Sequence, residues 1–246
     1  MAARRRVLIL GGSTEASALA QALAPLEDYD ITVSYAGRTR ERVDTPGTVR
    51  VGGFGGIEGL ARYLEAEAIE VLLDATHPFA AQMPHHAATA CTIAGVARLR
   101  VCRPPWTAVA GDRWLEVGGL EAAAAKLAEL DARRVLLTTG RQELAPFADV
   151  RAWFLVRAIE PPATMPLGDA SVVLARGPFD ELSELALMTE NEIDVVVAKN
   201  SGGSATVAKL LAARRLALPV VMITRPPAPD GPVVATVEDA FAWLAC

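Results

Sequence analysis

Three stretches of this 246-residue chain set ligand-binding side chains at spacings that suit chemistry. The first is Gly11-Gly12-Ser13-Thr14-Glu15, which follows the apolar run Val7-Leu8-Ile9-Leu10 and precedes an alanine-rich run. Two glycines let the backbone turn sharply, a hydroxyl caps the next helix, and the helix dipole favours a phosphate at that turn. The turn lacks the full G-x-G-x-x-G spacing, so a phosphate cradle and a plain strand-to-helix connection both stay open. The second stretch is Asp74-Ala75-Thr76-His77-Pro78, after the apolar run Val71-Leu72-Leu73. His77 stands at a strand end with proline fixing the exit, which makes it the histidine to place near chemistry. The third is Lys199-Asn200-Ser201-Gly202-Gly203-Ser204. A strand-end ammonium, two hydroxyls and a glycine turn suit an anion there, with Lys209 further along the helix expected over residues 205–214.

Two further loops bear on a cofactor. Residues 30–35 read as a β-branched strand ending in Ala36-Gly37-Arg38-Thr39-Arg40, with no carboxylate before Glu41. At the end of the second strand of a dinucleotide-binding unit an acid selects NAD, whereas a cation accommodates the 2′-phosphate of NADP. Arg38 and Thr39 therefore point to NADP, the alternative being arginines that only cover a polar loop. Gly52-Gly53-Phe54-Gly55-Gly56 either lets a ligand approach the backbone, closes on one, or is a flexible connection. A metal site is not expected. His77, His85 and His86 are the only histidines, and the adjacent pair points about 100° apart on a helix without a Cys or carboxylate at a matching position.

The elements that must position these residues alternate. Buried strands are expected over residues 7–10, 30–35, 48–51, 71–74, 97–102, 114–117, 134–139, 153–159, 171–175, 194–199 and 218–224. Helical patterns fall between most of them and close the chain over 237–244. Such βα order gives an α/β fold of two Rossmann-like parallel-sheet domains with a ligand crevice between them. The expected division is 1–118 for the NADP-binding domain and 119–246 for the domain completing the substrate crevice. The halves also echo each other, since strand-Arg103-Pro104-Pro105 returns as strand-Arg225-Pro226-Pro227.

Composition bounds the partners. A formal net charge of −5 gives no general attraction to nucleic acid or an anionic membrane, so an acidic ligand needs a local basic patch. No apolar run approaches the roughly 18 residues of a membrane span, and Arg4-Arg5-Arg6 precedes too short an apolar segment for a signal peptide. Cys91, Cys102 and Cys246, odd in number and without a C-x-x-C, suit a reducing cytoplasm.

Taken together the motifs resemble the precorrin-6A reductase family of the corrin (cobalamin) pathway. The residues that carry the resemblance are Leu10-Gly-Gly-Ser-Thr-Glu-Ala16, Asp74-Ala-Thr-His-Pro-Phe-Ala80, Arg103-Pro-Pro-Trp106, Thr138-Thr-Gly-Arg141, Arg176-Gly-Pro-Phe179, Lys199-Asn-Ser-Gly-Gly203 with Lys209, and Arg225-Pro226. They occur in family order over nearly the whole chain, and Ser13 stands where the family more often has Thr, which keeps the hydroxyl.

The resemblance implies an oxidoreductase that uses NADPH to reduce one double bond of a tetrapyrrole-derived macrocycle, precorrin-6A, to precorrin-6B. Hydride goes to one ring carbon and a proton to its neighbour. Cofactor contacts are then expected from Gly12, Ser13, Thr14, Glu15, Gly37, Arg38, Thr39 and Gly55, with Asp74, Ala75, Thr76 and His77 on the nicotinamide side. Arg103, Arg141, Arg176, Lys199, Ser201, Gly202, Gly203 and Lys209 would meet the polycarboxylate ring. His77, Lys199 and water are alternative proton sources. The same motifs fit a cobalt-containing precorrin as substrate, and a non-catalytic NADP-binding regulator is the reading from another class.

Overall fold

A computed structural model describes residues 4–36 and 45–245. In chain order its elements are β1 (Arg5–Leu10), α1 (Thr14–Leu23), β2 (Tyr29–Tyr35), β3 (Thr48–Val51), α2 (Gly56–Ala66), β4 (Val71–Asp74), α3 (Met83–Ala94) and β5 (Ala97–Val101). Then come β6 (Arg113–Val117), α4 (Leu120–Glu129), β7 (Arg134–Leu137), a single 3-10 turn (Ala145–Phe147), β8 (Trp153–Ala158) and β9 (Ala170–Leu174). The chain ends with α5 (Glu181–Glu190), β10 (Val195–Lys199), α6 (Ala208–Arg215), β11 (Pro219–Ile223), β12 (Val233–Val234) and α7 (Val237–Leu244).

Two compact units result, one running up to Pro104 and resuming at Pro226, the other Pro105–Arg225. Among the described residues each holds a six-stranded sheet, ordered β12-β5-β4-β1-β2-β3 and β6-β11-β10-β7-β8-β9. All pairings are parallel. The α/β, parallel-sheet expectation holds.

Strand periodicity builds the first unit's core. Alternate residues of the central strand face opposite ways, so Val7 and Ile9 pack with Leu19 and Leu23 of α1 and Leu244 of α7. Leu8 and Leu10 pack on the other face with Leu60 and Leu64 of α2 and Ala87 and Ala90 of α3. Being covered on both faces is why β1 reads as an unbroken apolar run.

The expected cut between 118 and 119 is corrected by strand pairing. β6 follows β5 in the chain but pairs with β11, Arg113 to Val117 lying against Pro219 to Ile223. β12 follows β11 but pairs with β5, Val233 against Arg100 and Val234 against Val101. Each sheet thus takes its sixth strand from the segment that follows the fifth strand of the other. The repeated Arg-Pro-Pro motifs mark the two crossings, where proline, lacking an N–H and fixed in φ, ends the strand. After the second crossing, α7 is fastened to the first unit by Ala240 and Leu244 in its core and by Arg5, which donates to the Leu244 carbonyl at 2.7 Å.

Candidate active site

In the first unit two of the expected cofactor groups, Gly12 to Glu15 and Asp74 to His77, lie together at the carboxyl ends of β1 and β4, the neighbouring strands from which the sheet order runs in opposite directions. Ligands of open α/β sheets bind at such a switch point. Gly11 is required there by packing, because a Cβ would lie 2.6 Å from the Tyr35 ring. Gly12 has φ +129°, outside the range of other residues, and a Cβ on it would sit 3.8 Å from the His77 backbone nitrogen, so the two turns adjoin. Ser13 ties them together. Its hydroxyl accepts from Ala16 N–H at 3.2 Å as the cap of α1 and donates to the Ala75 carbonyl at 2.7 Å. Asp74 is fully buried and accepts from the Thr76 N–H and hydroxyl at 3.2 and 2.7 Å, which fixes the turn into His77. His77 Nδ1 accepts from Phe79 N–H at 3.2 Å, so a neutral ring carries its proton on Nε2.

Glu15 would oppose a phosphate at this helix N-terminus were its charge uncompensated. Arg103 meets it at 2.7 Å, with both side chains 16% exposed. Burial alone would raise the Glu15 pKa, but its backbone hydrogen bond, the Arg103 charge and bonds from Ser13 and Arg103 outweigh that and hold it below the usual carboxylate value. Gly12 and Thr14 are exposed on the turn. A capped helix start whose acid is neutralised, with an exposed glycine beside it, fits the diphosphate of a dinucleotide. Arg103, expected at the substrate, pairs with Glu15.

Gly55 caps α2 with φ 81°. The glycine loop around it is held by Arg50, which the sequence reading passed over. Arg50 donates to the Gly52 and Gly53 carbonyls at 2.7 and 2.9 Å and stacks 3.8 Å from the Phe54 ring centroid. Gly37, Arg38 and Thr39 lie outside the described residues.

In the second unit the corresponding strand ends carry ion pairs. Lys199, the last residue of β10, pairs with Glu143, and Arg141 pairs with Glu160 at 2.8 Å. Neither acid was singled out in the sequence, since irregular loops carry no periodicity. Ser201 is buried, its N–H bonded to the Lys199 carbonyl at 2.7 Å and its own carbonyl accepting from Arg225 at 3.0 Å. Gly202 and Gly203 have φ 69° and 82°, and the Gly203 carbonyl accepts from the Trp106 indole at 2.9 Å. Arg176 is exposed, two residues beyond β9.

Lys209 departs from expectation. The helix starts at Ala208 rather than 205, so Lys209 lies in its first turn, 5% exposed, and reaches back to the Thr206 carbonyl at 2.7 Å under the Trp106 ring. Burial, then repulsion from Arg157, pushes its pKa down to about 7 against partial compensation from Glu184. Arg157 and Glu184 form a further ion pair inside the unit, 7% and 2% exposed, with Arg157 stacked 4.2 Å from the Phe179 centroid. Among the described residues no three His, Cys, Asp or Glu gather to hold a metal ion, and no helix is long and apolar enough to cross a membrane.

Comparison with known proteins agrees with this architecture. The chain is 48% identical over 242 residues to a precorrin-6A reductase of Rhodobacter capsulatus, covering 98% of this chain and 96% of that one. It is 47% identical over 243 residues to a precorrin-6A reductase of Rhodococcus erythropolis, covering 97% of each. A solved structure described as CobK precorrin-6A reductase superposes with a TM-score of 0.91 at 47% identity, covering 98% of this chain and 96% of the other. Residues 6–245 match the family described as Precorrin-6x reductase CbiJ/CobK, and the chain belongs to that family.

Proposed function

We propose that this protein is an NADPH-dependent oxidoreductase of cobalamin biosynthesis that reduces one ring double bond of precorrin-6A to give precorrin-6B. The observation that carries the reading is the switch point of the first unit, where a capped, charge-compensated helix start adjoins the Asp74–His77 turn in a chain of this family. Bound NADPH supplies the hydride from its nicotinamide.

The chain's own residues bind and orient. Gly12, Ser13 and Thr14 receive the diphosphate, with Glu15 held back by Arg103. Gly37, Arg38 and Thr39 take the 2′-phosphate, and Gly55 flanks the adenosine. Asp74, Ala75, Thr76 and His77 line the nicotinamide. In the second unit Arg141, Arg176, Lys199 and the Ser201–Gly203 turn meet the ring's carboxylates, and Lys209 braces that turn. A desolvated pair of this kind contributes on the order of 1.5–3 kcal/mol. The proton for the neighbouring ring carbon comes from His77 in its imidazolium form, from Lys199 or from water. The protein works in the cytoplasm, where Cys91 and Cys102 stay as thiols.

Loss of NADPH absorbance on adding precorrin-6A tests the activity, and no oxidation with any precorrin would leave only a cofactor-binding regulator. Running the cobalt-containing ring in parallel fixes the substrate's metal content. Arg38→Ala is expected to raise the KM for NADPH and to leave that for NADH nearly unchanged. Equal loss with both cofactors would sink the 2′-phosphate assignment.

A further inference from the structure

Two ion pairs of the second unit differ in how they are held. Arg157 and Glu184 lie on a strand and a helix, 7% and 2% exposed, so neither can leave the other. Lys199 is equally fixed at the backbone, paired in register with Ile223 of β11. Its partner is not. Glu143 sits on the irregular segment between β7 and the 3-10 turn, where its N–H makes a long 3.4 Å bond to the Gly140 carbonyl. Among the described residues Lys199 is the one partner of its carboxylate, and the two side chains are 16% and 34% exposed. The neighbouring Arg141–Glu160 pair is also partly exposed, at 28% and 18%.

Resting on the reading that Lys199 meets the ring, we infer that Glu143 is a resident counter-carboxylate. It pairs with Lys199 in the free protein and yields it to a substrate carboxylate on binding. Exchanging one carboxylate for another at a fixed ammonium keeps an acid beside that charge throughout, whereas removing an ion-pair partner without replacing it is the costlier path. The acid can move out to water while the strand holds the cation in place. Breaking the resident pair draws on binding energy, so Glu143 lowers the affinity for every ligand and penalises most those with no carboxylate to replace it.

Glu143→Gln keeps the shape and removes the charge. The KM for precorrin-6A and the dissociation constant of precorrin-6B are expected to fall about two- to fivefold, the worth of a partly exposed pair. The KM for NADPH stays unchanged. Glu143→Ala, which offers Lys199 no amide, moves the same way, and the gain vanishes in the Glu143→Gln/Lys199→Gln double variant. Unchanged or weaker ring binding in Glu143→Gln, alongside weaker binding in Lys199→Gln, means that Glu143 only orients Lys199. That overturns the inference and leaves the proposed activity standing. If Lys199→Gln itself binds the ring as before, Lys199 does not face it, and both the inference and that placement of the substrate fall.

Discussion

In the first unit the turn after the central strand β1 meets the turn after β4 through a neutral hydrogen bond, from the Ser13 hydroxyl to the Ala75 carbonyl. In the second unit the turns after β7 and β10, at the same places in the same sheet order, meet through Lys199 and Glu143. A ten-residue helix follows β1 within three residues, whereas only a 3-10 turn lies between β7 and β8. The turn after β7 therefore has no helix macrodipole of its own and carries an ion pair instead. The two units share topology, and on the proposed reading they divide the chemistry, the first taking a phosphate at its strand ends and the second carboxylates.

The sharpest separation within the second unit is between charges that hold the fold and charges available to a ligand. Glu184→Gln leaves Arg157 and Lys209 buried without a carboxylate, and a loss of about 3–5 kcal/mol in unfolding free energy is expected from denaturant titration. A loss under about 1 kcal/mol, the range of surface pairs, would put Arg157–Glu184 in the same class as Lys199–Glu143 and remove the distinction.

Much of this was legible because strands buried on both faces leave unbroken apolar runs, and the Gly11–Ser13 cap follows one of them. Strand pairing was not. The two-residue β12 is too short for any periodicity, and which sheet it joins is settled by contacts with β5, over a hundred residues earlier in the chain. The Arg-Pro-Pro repeat was visible as an echo, but its meaning as the two crossings depends on that pairing. The strand-end cations stand out in the sequence by their place after apolar runs, whereas their loop-borne partners Glu143 and Glu160 leave no pattern to find. The helix bearing Lys209 begins three residues later than its pattern suggests, and in its first turn the side chain reaches back under Trp106.

Lys209 also gives the second unit a pH response of its own. With its folded pKa lowered to about 7 from 10.5, the unfolded chain binds a proton between these values that the folded chain does not. Stability therefore rises with pH in that window, by at most about 1.4 kcal/mol per unit, and the cost of burying the charge is fully present below pH 7. Lys209→Met is expected to flatten this slope in urea titrations at pH 7, 8 and 9. Parallel slopes in the two proteins would mean that Lys209 stays charged when folded.

The smallest expected effect tests the first unit's half of the comparison. Ser13→Ala removes the α1 cap and the bond to Ala75, costing about 1 kcal/mol of stability. The alanine cannot hold the β1 turn against the His77 turn, so the KM for NADPH should rise about three- to tenfold, a differential binding cost of roughly 1 kcal/mol. The KM for precorrin-6A should not move. Glu143→Gln carries the reverse signature, with the ring affected and NADPH not. If Ser13→Ala shifted the ring's KM and spared NADPH, the neutral turn would be the carboxylate end, and the division between the units would have to be drawn the other way.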